Sequence, residues 1–143
     1  MKDHESNYTV HVEGEIILIT PIGSQSPAAV RSIREEVEAL LAGKRPPKDI
    51  LVDNTKAGLP GKQATEVALI ALKEVPFRRI AIFTDKPEML LSARDLLKRS
   101  GSEERFKIFR DENMARAWLK ESSHPVRTRL EQKKDRILRR HED

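Results

Sequence analysis

The chain contains no cysteine. That absence excludes a disulfide framework, a thiolate zinc site, an iron–sulfur cluster and a cysteine nucleophile together. Aromatic residues are scarce, at 4% of 143 residues with a single Trp, so there is no row of stacking side chains of the kind that holds single-stranded nucleic acid. No apolar run approaches the roughly 20 residues of a membrane helix, and the opening segment Met1-Lys2-Asp3-His4-Glu5-Ser6-Asn7 is charged, without the apolar stretch of a leader. Cytoplasmic residence is the expectation. The dinucleotide fingerprint Gly-x-Gly-x-x-Gly is missing. One loop, Gly58-Leu59-Pro60-Gly61-Lys62, invites a phosphate-binding reading. It fails the Walker pattern, because Lys56 stands where the first glycine belongs and Gln63 where the magnesium-binding hydroxyl belongs.

The formal net charge is +4, and its location decides what it means. Residues 123–143 hold seven Lys/Arg against four acids, which leaves 20 basic and 19 acidic groups for the other 122 residues. The body of the chain is nearly neutral, so binding to a nucleic acid or an anionic membrane surface is an expectation for the basic tail alone.

Hydropathy patterning yields an alternating series of strands and helices. Tyr8–Val12 and Glu15–Thr20 read as β-runs separated by a tight turn at Glu13-Gly14, an antiparallel opening pair. Ser26-Pro27 is an N-cap followed by a first-turn proline, and Val30, Ile33, Val37, Leu40 and Leu41 continue at helical spacing as far as Gly43. After Lys44-Arg45-Pro46-Pro47, Asp49–Asp53 is a short apolar run bounded by acids, the pattern of a buried central strand. Ala64, Val67, Ala68, Ala71, Leu72 and Val75 mark a second helix ended by Pro76. Ile80–Phe83 is a further strand, Pro87–Ser100 a third helix stopped by Gly101, Phe106–Arg110 a last strand, and Asp111 caps a short helix with Met114, Ala115, Trp118 and Leu119. Strands alternating with helices of this length demand crossover connections. The predicted fold class is therefore α/β, a mixed and mainly parallel sheet with an antiparallel opening pair and helices packed on it. Residues 1–122 form a single domain in this reading and 123–143 a basic C-terminal helix or tail.

The element order, with Asp49-Ile50-Leu51-Val52-Asp53, Pro76–Asp85 and the Phe109–Leu119 stretch of form Phe-x-x-Glu-x-x-Ala-x-x-Trp-Leu, resembles the SpoIIAA-like branch of the STAS (anti-sigma-factor-antagonist) family across about residues 7–120. The resemblance implies a regulatory or scaffolding module that works by binding a partner protein, with no catalysis and no cofactor. It also implies a phosphorylation switch at the start of the helix after the central strand. There the usual Asp-Ser-Ser-Gly pattern is replaced by Gly61, Lys62 and Gln63, and the nearest hydroxyl on the helix is Thr65. Thr65 is thus the phosphoacceptor candidate, with capping of the first helical turn as its ordinary alternative.

Topology supplies the candidate cleft, since ligands of open α/β sheets lie beyond the carboxyl ends of the strands. Three such ends are polar here, contributing Ser24, then Asp53, Asn54, Thr55 and Lys56, then Thr84 and Asp85. Asp53 and Asp85 are candidates for a carboxylate pair that binds a cation, against the everyday role of Asp in capping a turn. The histidines at 4, 11, 124 and 141 lie near the termini and read as surface residues, and His11, alternating with Val10 and Val12, should face solvent. No metal site is expected. Trp118, in step with Ala115 and Leu119, should pack the last helix. The alternatives to protein binding are a small-ligand or lipid-binding domain with an apolar pocket beside the strand ends, and polyanion binding through the tail.

Overall fold

A computed structural model describes residues 7–43 and 48–121. The segment 123–143, expected to be a basic helix or tail, lies outside the described residues, as do His4, His124 and His141. In chain order the elements are β1 (Tyr8–Glu13), β2 (Ile16–Pro21), α1 (Pro27–Leu41), β3 (Asp49–Asp53), α2 (Lys62–Glu74), β4 (Ile80–Phe83), α3 (Pro87–Ser100), β5 (Phe106–Phe109) and α4 (Glu112–Glu121). The sheet runs β1-β2-β3-β4-β5, antiparallel between β1 and β2 and parallel thereafter. The expected mixed α/β order is the observed one. At the hairpin Glu13 pairs with Ile16, so the turn is Gly14-Glu15, one residue later than the sequence indicated. Gly14 takes the positive φ of 60° that such a two-residue turn requires at its first central position.

The sheet has two unequal sides. Ile17, Ile19, Ile50, Val52, Ile80, Ile82 and Phe106 point to one, where Val37 of α1, Leu72 of α2 and Leu96 and Leu97 of α3 meet them. Leu51, Ala81 and Phe83 point to the other, where α4 alone supplies Ala115, Trp118 and Leu119. Local sequence starts the helices that cover these sides. Ser26 Oγ accepts from Ala29 N at 3.0 Å ahead of Pro27, and Asp111 Oδ1 accepts from Met114 N at 2.8 Å at the head of α4. Trp118 is 8% exposed. Its ring lies 5.8 Å from Phe109 at a 44° tilt, with the Arg79 guanidinium 4.5 Å and the Lys107 ammonium 5.6 Å from it. It packs the last helix, as its spacing predicts. His11 is exposed beside Glu13.

Asp49, an acid at the edge of an apolar run in the sequence, is buried in the structure. Arg78 Nη2 donates to its Oδ2 at 2.5 Å and to the Leu119 carbonyl at 3.2 Å, tying the start of β3 to the end of α4. Burial holds the Asp49 carboxyl above the usual carboxylate range, with the Arg78 guanidinium pulling the other way. Asp49 Oδ1 and Arg78 Nη1 are both buried without a hydrogen-bond partner among the described residues. Removing one member of a buried pair strands the other charge, which costs about 3–5 kcal/mol, whereas replacing both with apolar groups is close to neutral. Arg78→Ala should therefore lower stability by about 3–5 kcal/mol, read as a shift in the denaturation midpoint, and the double variant Asp49→Leu/Arg78→Met should recover most of that loss.

Candidate functional site

Beyond the carboxyl ends of the parallel strands, the connections after β2 and β3 are stitched into one rim. Gly23 and Ala57 form an isolated parallel bridge, and Gly23 N donates to the Lys56 carbonyl at 2.8 Å. Ser24 Oγ donates to the Leu59 carbonyl at 2.8 Å. Lys86, at the head of α3, donates through Nζ to the Ala57 carbonyl at 3.1 Å. Thr84 is fully buried, and its hydroxyl donates to the Asn54 carbonyl at 3.4 Å while accepting from Lys86 N at 3.3 Å. Of the residues expected in this cleft, Ser24, Asn54, Lys56 and Thr84 are thus drawn into a shared network.

Asp53 and Asp85 behave differently from that group. Asp53 Oδ1 accepts from both Thr55 N (2.9 Å) and Thr55 Oγ1 (2.5 Å), a local turn that engages one carboxylate oxygen and the Thr55 hydroxyl. Asp85 is exposed and makes no hydrogen bond to the described residues. Among the described residues no group of three or more His, Asp or Glu is placed to hold a metal ion.

Helix α2 begins on this rim with Gly61 as its N-cap and no side chain capping its first turn. Its leading N–H groups face outward without a side-chain acceptor, which leaves that end electropositive. Thr65 is half-buried, and its hydroxyl donates back to the Gly61 carbonyl at 2.9 Å. Two large apolar side chains stand out from the rim: Leu59 is 50% and Ile22 45% exposed.

A cavity of about 230 Å³ lies between the sheet and the three helices on that side, beneath α2. Its origin is the inward face of α2, where Ala64, Ala68 and Ala71 stop short of Ile50, Val52 and Ile82. α2 lies against α1 and α3, and its Leu72 reaches into the core formed by the strands. Arg34 of α1 reaches Glu74 at 2.8 Å, and Arg99 of α3 pairs with Glu66, so α2 is held from both flanks. Nothing in the sequence singles out Gln25, which lines the cavity; its Nε2 donates to the carbonyls of Asn7 (2.7 Å) and Ile22 (3.2 Å), and its Oε1 is buried without a partner among the described residues. The alanine stripe was visible as core spacing, but whether alanines fill the space depends on what faces them.

No protein-family model matches the sequence, and no curated protein does either. Solved structures do. A protein of the DUF3478 family with a SpoIIAA-like fold, from Shewanella loihica PV-4, is 22% identical with a TM-score of 0.59, over 78% of this chain and 91% of that one. An anti-sigma factor antagonist from Mycobacterium paratuberculosis is 10% identical (TM-score 0.56), over 84% and 99% of the two chains. The anti-sigma factor antagonist SpoIIAA in its unphosphorylated form is 15% identical (TM-score 0.54), over 81% and 98%. The chain has the SpoIIAA-like, STAS-type fold that the sequence pattern resembles.

The rim depends on one close approach. A Cβ on Gly58 would lie 2.6 Å from Ser24 Oγ and 3.0 Å from Ser24 N, so the two loops meet only because residue 58 has no side chain. Gly58→Ala should break the Ser24–Leu59 hydrogen bond and cost about 1–3 kcal/mol. Faster amide exchange over residues 22–24 and 56–60, with α4 unchanged, is the expected readout.

Proposed function

We propose that this chain is a non-enzymatic regulatory module, resident in the cytoplasm, that binds a partner protein through the rim after β2 and β3 and the first turn of α2. The observation that carries this reading is the exposure of Leu59 and Ile22 on a rim whose backbone is already fixed by hydrogen bonds. Large apolar side chains held rigidly at the surface act as anchors, since little ordering entropy is lost when a partner covers them. The uncapped start of α2 beside them favours a partner that presents an acidic side chain or a carbonyl. The STAS-type fold, shared with anti-sigma factor antagonists, supports a partner-binding role. Among the rim hydroxyls, those of Ser24, Thr65 and Thr84 donate to backbone carbonyls and that of Thr55 to the Asp53 carboxylate within a local turn, which favours structural over catalytic roles. If a phosphorylation switch operates, Thr65 is its residue, and modification would have to break the bond to the Gly61 carbonyl.

Partner capture from cells with the full chain, the chain lacking residues 123–143, and the variant Ile22→Ser/Leu59→Ser tests the reading. The expected outcome is a discrete partner retained by the first two and weakened at least tenfold by the third, with an unchanged melting temperature. Capture that survives in Ile22→Ser/Leu59→Ser removes the rim from the account, and capture lost only with the tail transfers the binding to residues 123–143. Phosphoproteomics of the same material reports directly on Thr65.

A further inference from the structure

Strand β1 forms one edge of the sheet, and its register against β2 fixes which backbone groups that edge leaves over. Ile22 N donates to the Asn7 carbonyl at 2.7 Å, which makes Asn7–Ile22 a hydrogen-bonded pair. Such pairs alternate along an antiparallel ladder, so Thr9–Thr20, His11–Leu18 and Glu13–Ile16 are the others. The N–H and C=O groups of Tyr8, Val10 and Val12 therefore point away from β2. Among the described residues no strand takes them up. Val12 is 43% exposed beside them.

The opposite edge of the sheet is blunted, and β1 is not. β5 has only four residues, with the exposed Lys107 inside it and Arg105 and Arg110 on either side. Short length and lysine are what keep an edge strand from adding a neighbour. β1 has six residues rich in β-branched side chains, with no lysine, proline or bulge, and its one acid, Glu13, is held by Arg116. The strand also matches itself. In an antiparallel pair of copies centred on Val10, Val10 meets Val10, Tyr8 meets Val12, and Thr9 meets His11. Every outward residue of β1 is then used, at two backbone hydrogen bonds for each such pair. A pair centred on Thr9 or on His11 leaves part of the edge unsatisfied. Centring on Val10 also lays the Tyr8 ring over the exposed Val12 of the second copy, a favourable aromatic and β-branched pair, and sets Glu13 opposite Asn7 rather than another charge.

We propose that two copies of this chain join through β1, antiparallel about Val10, so that their sheets become one continuous sheet. No residue of β1 belongs to the rim assigned to partner binding, and the test needs no other protein. Sedimentation of the full chain over a micromolar to millimolar series should show a reversible monomer–dimer equilibrium. Val12→Pro removes an N–H that faces away from β2 and so leaves the β1–β2 ladder whole. It should weaken the dimer at least tenfold. Should that variant fold poorly, Val12→Lys, which places a charge on the edge, should have the same effect. The absence of cysteine lets the register be read directly. Thr9→Cys/His11→Cys should form a covalent dimer under mild oxidation, because residues facing across a non-hydrogen-bonded pair have Cα atoms about 4.5 Å apart, within disulfide reach. Either single cysteine variant should cross-link at least tenfold more slowly. A single-chain mass throughout the series, or a dimer undiminished by both Val12 variants, overturns the interface; single variants that cross-link as fast as the double overturn the register about Val10.

Discussion

Strands β3 and β4 have no side that tolerates water. From Ile50 to Val52 and from Ile80 to Phe83 every residue is buried, whichever face it points to. Parallel strands joined by crossovers are stable only when both faces are covered, and the remaining elements answer that demand unevenly. Three helices share one face. The other depends on α4, a helix of ten residues that meets it through Ala115, Trp118 and Leu119. A short helix is marginal by itself; this one is secured by the Asp111 cap, by the Trp118 ring between Phe109 and two cations, and by Arg78 holding its Leu119 carbonyl.

The two ends of the sheet are correspondingly specialised. At the amino ends of the parallel strands the buried Asp49–Arg78 pair locks β3, β4 and α4 together. At the carboxyl ends the polar groups are shared between loops, so the backbone there is ordered while Leu59 and Ile22 remain uncovered.

Nearly all of this frame was legible in the sequence. Each strand is a short apolar run and each helix repeats apolar residues at three and four, with Pro27, Pro76, Pro87 and Gly101 as punctuation, so local patterns sufficed to order the elements. Strand order brings Ser24, Asn54 and Thr84 to one end of the sheet, since strand ends follow from it. Side-chain commitments were less accessible. Asp53 closes a turn on Thr55 two residues away, and Asp85 is exposed. Asp49 looked like a boundary acid because its partner, Arg78, lies 29 residues on. Gln25 gave no signal, as its acceptors are backbone carbonyls brought together by a chain reversal. The cavity was illegible for a different reason: a void is the difference between the volumes of two facing elements, and no single segment encodes it.

The placement of α2 over that void has an energetic consequence. Apolar contact is what makes a helix costly to detach, at about 25 cal/mol for each Å² returned to water, and α2 buries Leu69 and Leu72 beside the small side chains of Ala64, Ala68 and Ala71. Its flanking ion pairs are largely exposed and contribute little against solvent. With two large side chains buried, α2 costs less to lift than the β3–β4 centre, where every residue from Ile50 to Val52 and from Ile80 to Phe83 is buried. The helix that separates the rim from the interior is thus better suited to breathe than the strands beneath it.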